Sequence, residues 1–161
     1  MSYTEKIVNT QKAISLASKL KEKNQTIVLA GGCFDIIHIG HIKFIKHAKN
    51  YGVLFLLLEN DEKVRKLKGD QHPYFQQQER AKVLASIETI DYVVLLPEKM
   101  DDRDYEEIVT KIKPDIIAVT ENDPLYDKKK MQAEKIEGKI KVIPYIDTLS
   151  SSKIAKLLGV D

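Results

Sequence analysis

Gly31-Gly32-Cys33-Phe34-Asp35-Ile36-Ile37-His38-Ile39-Gly40-His41 stands between an apolar run, Thr26 to Ala30, and a helix-period segment, Ile42 to Asn50. A strand that ends in two glycines can turn sharply and bring its backbone close to a ligand. The helix that follows points its free N–H groups at the same place, which favours a phosphate. His38 and His41 flank Gly40 at the mouth of that helix. Two imidazoles there can donate hydrogen bonds to phosphate oxygens, while Gly40 leaves room for a flat base or ribose. The chain has neither a Walker lysine pattern nor G-x-G-x-x-G, so it supports neither a P-loop nor a dinucleotide fold.

Outward from this stretch, apolar runs of strand length alternate with helix-period segments. Thr26 to Ala30, Val53 to Leu58, Tyr92 to Leu96, Ile116 to Val119 and Ile140 to Ile143 read as strands, and the first four are nearly uninterrupted apolar runs, as in parallel strands covered on both faces. Ile42 to Asn50, Gln76 to Glu88, Asp104 to Lys113 and Asp127 to Glu137 read as the helices between them. A leading helix, Gln11 to Glu22, carries Ala13, Leu16, Ala17 and Leu20 along one stripe, and a last short helix follows Ser150. The series predicts a single α/β domain over 1–161. It is a Rossmann-like, doubly wound, parallel five-stranded sheet with helices on both faces, and residues 1–24 supply a leading helix packed on it. Ligands on such sheets sit at the carboxyl ends of the strands.

The bulk properties narrow the function. A chain of 161 residues can bury a substantial core, and a net charge of +2 gives no reason to expect a nucleic-acid or membrane partner. Cys33 is the single cysteine, so no intramolecular disulfide forms, and the expected compartment is the cytoplasm. Cys33 also has no dedicated base nearby in sequence and reads as a small buried residue rather than a nucleophile. His38, His41, His47 and His72 lack a thiolate partner at ligand spacing, so no protein-held metal is expected.

Gly32-Cys33-Phe34-Asp35 followed by His38-Ile39-Gly40-His41 resembles the signature of the HxGH nucleotidyltransferases, the superfamily of the cytidylyltransferases and several adenylyltransferases. Within it the chain is most similar to the heptose-1-phosphate adenylyltransferase group, from about Lys6 to Leu158. Val64 to Gly69, Arg80 with Val83-Leu84, and Ser150-Ser151-Ser152-Lys153-Ile154 fall in that group's order. The resemblance implies attack of a substrate phosphate oxygen on the α-phosphorus of a nucleoside triphosphate, with Mg²⁺ accompanying the nucleotide and no covalent enzyme intermediate. It also implies a homodimer.

The resemblance implies catalytic roles for His38, His41, Lys68 and Arg80. It sets Gly32, Cys33, Phe34, Gly40, Lys66, Asp123, Ser150, Ser151 and Ser152 around the nucleotide, and Asp35 and Asp61 on the acceptor side. Several of these residues carry a plainer alternative. Asp35 either touches ligand or caps its loop. Lys66 and Lys68 belong either to a mobile lid or to a solvated helix end. Arg80 makes either a phosphate contact or a surface salt bridge, and the serines either bind phosphate or cap the last helix. Thr120 to Tyr126 replaces the Gly-Gly-Asp-Tyr-like segment of the heptose group, which loosens the link to that sugar. Tyr145 and Glu88 stand where glycerol-3-phosphate cytidylyltransferases carry basic residues, which favours ATP over CTP. The expected activity is transfer of AMP to a phosphorylated small metabolite. The alternatives are a CTP-dependent enzyme, an FMN adenylyltransferase and a nucleotide-binding regulatory module.

Overall fold

The computed structural model describes residues 2–145 and 148–160, without the side chain of Ser151. Its strands are β1 (Ile7–Asn9), β2 (Ile27–Gly32), β3 (Val53–Leu58), β4 (Tyr92–Leu95), β5 (Ile116–Thr120) and β6 (Lys139–Ile143). Its helices are α1 (Thr10–Glu22), α2 (Ile39–Lys49), α3 (Asp61–Lys68), α4 (Gln77–Ala85), α5 (Asp102–Ile112), α6 (Tyr126–Lys135) and α7 (Ser151–Leu157). All six strands are parallel, in the order β1-β4-β3-β2-β5-β6.

The sheet therefore has six strands rather than the five expected. The extra one, β1, pairs with β4 from Ile7 opposite Val93 to Asn9 opposite Leu95. Three residues are too few to show a period-2 pattern, and Asn9 at once becomes the cap of α1, its Oδ1 accepting from Lys12 N at 2.8 Å. The leading segment thus joins the sheet as well as packing on it.

Alternation along the strands divides two cores. Ile27, Leu29, Phe55, Leu57 and Val94 face Ala13 and Ala17 of α1, Ile108, Val109 and Ile112 of α5, and Ala133 of α6. Val28, Ala30, Leu54, Leu56, Leu58 and Val93 face Ile45 and Ala48 of α2 and Ala81, Leu84 and Ala85 of α4. Both faces being covered explains why the central strands are continuously apolar. The chain leaves β2 for β3 on one side and reaches β5 on the other side, so the crevice between the carboxyl ends of β2 and β5 is the topological switch point.

The helix α3 was not among the expected elements, and it makes Val64 to Lys68 the helix end of the two alternatives, begun by Asn60 Oδ1 accepting from Lys63 N at 2.8 Å and anchored by buried Val64. Asp61 and Glu62 in its first turn and Arg65, Lys66 and Lys68 in its last complement the helix dipole, which supports so short a helix.

Candidate active site

The glycine-rich loop leaves β2 at the switch point and enters α2 through His38. Nδ1 of His38 accepts from Gly40 N at 3.2 Å, and Nδ1 of His41 accepts from His38 N at 3.4 Å. Each ring thus caps a free N–H of the helix start, and each neutral ring keeps its proton on Nε2. The two centroids lie 3.9 Å apart. Burial, the neighbouring His38 and the charge of Lys68 hold His41 down to a pKa of about 3. Burial and Lys68 lower His38 as well. At neutral pH the pair therefore presents two N–H donors without a formal charge. Gly40 is needed for space, since a Cβ there would come within 2.8 Å of Thr148 Cγ2 and 2.9 Å of His38 Cε1.

Two cavities open on either side of this loop. The first, of about 280 Å³, lies between the loop and the ends of β5 and β6. Its walls include Phe34, His38, Gly40, His41, Phe44, Ala118, Val119, Tyr145 and Ser150. The second, of about 180 Å³, lies over the end of β3. Its walls include Glu59, Lys63 and Leu67, Met100 to Asp102, Tyr105 and Lys128 to Gln132 in part. Gly31, Gly32, Cys33 and Lys129 line both. Burial pushes the Cys33 thiol up and so keeps it protonated, which agrees with a wall residue rather than a nucleophile.

This arrangement, a pair of histidine N–H donors with a cavity on each side of their loop, suits the joining of two substrates over a shared wall. The sequence profile described as cytidylyltransferase-like matches residues 29–156. The chain belongs to the cytidylyltransferase-like family. It is a nucleotidyltransferase. The bifunctional protein HldE of Aliarcobacter butzleri is 38% identical over 142 residues, 88% of this chain and 28% of that protein. HldE of a Nitratiruptor species is 37% identical over 155 residues, 95% of this chain and 32% of that protein. The chain thus spans about a third of the length of these relatives. A lipopolysaccharide core biosynthesis protein from Thermoplasma volcanium superposes with a TM-score of 0.63 at 25% identity, covering 77% of this chain and 98% of that one. Pantoate-beta-alanine ligase from Francisella tularensis shares the fold, with a TM-score of 0.60 at 19% identity over 88% of this chain and 68% of its own.

Within this cytidylyltransferase-like site, His38, His41, Gly32, Cys33, Phe34, Gly40, Asp123 and Ser150 all lie on the wall of the first cavity. Lys68 stands close enough for its charge to help lower His38 and His41 and to oppose, without reversing, the rise that burial causes at Cys33. Other expected residues serve differently. Arg80 makes neither a phosphate contact nor a surface pair: its side chain is 1% exposed and donates to the carbonyls of Cys33, Glu59 and Phe75 and to Asp61 Oδ1. It is a positioning residue that ties the glycine loop, the end of β3 and the start of α3 together. Asp61 is its counter-ion and does not line the second cavity, whose wall carries Glu59 instead.

Asp35 is wholly buried. Its Oδ2 is hydrogen-bonded to His72 Nδ1 at 2.8 Å and its Oδ1 accepts from Tyr74 N at 2.9 Å, so it anchors the loop after α3 instead of reaching a ligand. Lys66 is 69% exposed and pairs with Glu62 one turn back, the solvated helix end of the two alternatives. Ser150 Oγ caps α7 by accepting from Lys153 N at 3.2 Å, Ser152 is exposed, and the Ser151 side chain is outside the described residues. Glu59, Lys63, Tyr105 and Lys129 were missed from the sequence. Only the placement of Glu59 at the end of an apolar strand marked any of them.

Among the described residues no three histidine, cysteine or acidic side chains gather as a metal site, and no helix is long and apolar enough to cross a membrane.

Proposed function

We propose that this chain transfers the AMP part of ATP to the phosphate of a sugar phosphate, with heptose 1-phosphate as first candidate, and releases pyrophosphate in the cytoplasm. The observation that carries it is the pair of uncharged Nε2–H donors beside the wall shared by two cavities. The nucleotide occupies the first cavity. Phe44, Ala118, Val119, Pro144 and Tyr145 give a base an apolar berth with no arginine on it among the described residues, which suits adenine. The acceptor occupies the second, whose mixture of carboxylates, lysines and amides suits hydroxyl groups.

An acceptor phosphate oxygen forms the new bond to the α-phosphorus, the bond to the bridging oxygen breaks, and pyrophosphate leaves with the electron pair. His38 and His41 donate to the α-phosphate oxygens as charge builds, with Lys68 nearby as fixed positive charge. Magnesium arrives as part of the nucleotide substrate, carried mainly by phosphate oxygens and water. Pyrophosphate release is the test, with ATP or CTP against heptose 1-phosphate, glycerol 3-phosphate and FMN. Turnover is expected with ATP and the sugar phosphate. Turnover with CTP and glycerol 3-phosphate alone would replace this assignment with the cytidylyl one. No release with any pair would leave a nucleotide-binding module.

A further inference from the structure

We infer that Lys129, held by Asp123 where the two cavities meet, binds the phosphate of the acceptor and offsets its charge as it approaches the nucleotide. The inference rests on the two-cavity reading above. Of the four residues on both walls, Lys129 alone carries a positive charge. Its Nζ lies 2.7 Å from Asp123 Oδ2, and the two side chains are only 17% and 12% exposed. Asp123 is itself fixed, with Oδ1 accepting from Leu125 N at 2.8 Å at the entry to α6. One of three ammonium hydrogens is therefore used to hold the group still, and two remain for a ligand.

A lysine stem is flexible and normally loses much freedom when it binds an anion. Here that loss is taken in folding, so the charge is preorganised. Its position answers a specific electrostatic problem. The acceptor phosphate must come within bonding distance of an α-phosphate that is also anionic, and the repulsion peaks at the boundary between the cavities. An ammonium there offsets the charge of the incoming acceptor phosphate. The rest of the second cavity indicates what the phosphate is attached to. Glu59 is a partly buried carboxyl within reach of the charges of Lys63 and Lys129, and Gln132 lines the same cavity. Alternating donors and acceptors match a polyhydroxylated chain or ring, whereas a quaternary ammonium group would be repelled by the lysines.

The plainer account is that the Lys129–Asp123 pair only fastens the β5–α6 loop, and calorimetry on the full chain separates the two. The protein is saturated with α,β-methylene-ATP, which blocks the first cavity without reacting, and inorganic phosphate is then titrated. Lys129→Ala should weaken phosphate about tenfold, the loss of one charge-assisted contact. Lys129→Arg should restore most of it, and affinity for the nucleotide analogue should stay within about twofold of wild type. Absence of saturable phosphate binding by the wild type would overturn the inference. So would unchanged phosphate binding in Lys129→Ala, or equal weakening of phosphate and nucleotide. If Lys129→Ala does not fold, Lys129→Gln and Lys129→Arg read the same difference. A wild type that binds phosphate by this criterion yet turns over no sugar phosphate would refute the sugar assignment while leaving Lys129 in place.

Discussion

Lowering the pH from 7 to 5 should destabilise the nucleotide-free protein through His41, because the native state holds this ring neutral while the unfolded chain does not. Its native pKa of about 3 lies below the value of 6.5 for an exposed histidine, chiefly through burial and then through His38 and Lys68. The unfolded state therefore binds the extra proton first, and stability falls as pH drops from 6.5 toward 3. A full unit in this window is worth about 1.4 kcal/mol. Integrated from pH 7 to pH 5 the loss is about 2 kcal/mol, or nearer 1 kcal/mol once the open side of the ring is allowed for solvent screening. His41→Gln keeps a hydrogen-bonding side chain and removes the ionisation. Urea unfolding of both proteins at pH 7, 6 and 5 should show the variant losing about 1–2 kcal/mol less than wild type over the interval. Identical pH slopes would refute the neutral-donor assignment, since a ring already protonated in the native state has no such linkage.

Three further outcomes follow from the site. Arg80→Ala strands three carbonyls and a carboxylate and should cost about 3–5 kcal/mol in urea unfolding; a loss below about 1 kcal/mol would show the buried guanidinium to be dispensable. Gly40→Ala forces its Cβ against Thr148 and the His38 ring, and a displaced ring should lower kcat by about 10²-fold with little change in thermal unfolding. Lys68→Ala should lower kcat/KM by about 10²-fold, whereas Lys66→Ala should stay within about twofold of wild type, because Lys66 only joins an exposed ion pair; equal effects of the two would place both at the phosphates or neither.

The fold was legible where burial on both faces left no room for polar residues. Val53 to Leu58 reads as a strand because every other side chain meets a helix layer on one face or the other, and the structure places β3 over the same six residues. Legibility failed where an element is held by something other than its own pattern. The strand β1 is a three-residue edge defined by its register on β4, and α3 is a mostly charged segment whose start depends on the Asn60 cap and one buried valine. Local periodicity carries neither fact.

The site divides along the same line, and the division has a chemical cause. His38, Gly40 and His41 could be read from sequence because adjacent residues solve one local problem, capping a helix start on the wall of a cavity. Arg80 was recognised as an important polar residue but given neither of the roles it has, and Asp35 holds a structural place, the kind of role that stood as one of its two alternatives. Their partners are the carbonyls of Cys33 and Glu59, and the backbone N–H of Tyr74, groups that no sequence motif displays. Both tie segments far apart in the chain to the back of the glycine loop, and neither is exposed enough to meet a ligand in this structure. The second cavity was hardest because Glu59, Lys63, Tyr105 and Lys129 come from four different elements or loops and meet only in the folded chain. A charged residue that solves a local problem can be recognised by its neighbours in sequence; one that solves a problem between two bound substrates can be recognised only by the two cavities it stands between. Lys129 is the residue for which that difference matters most.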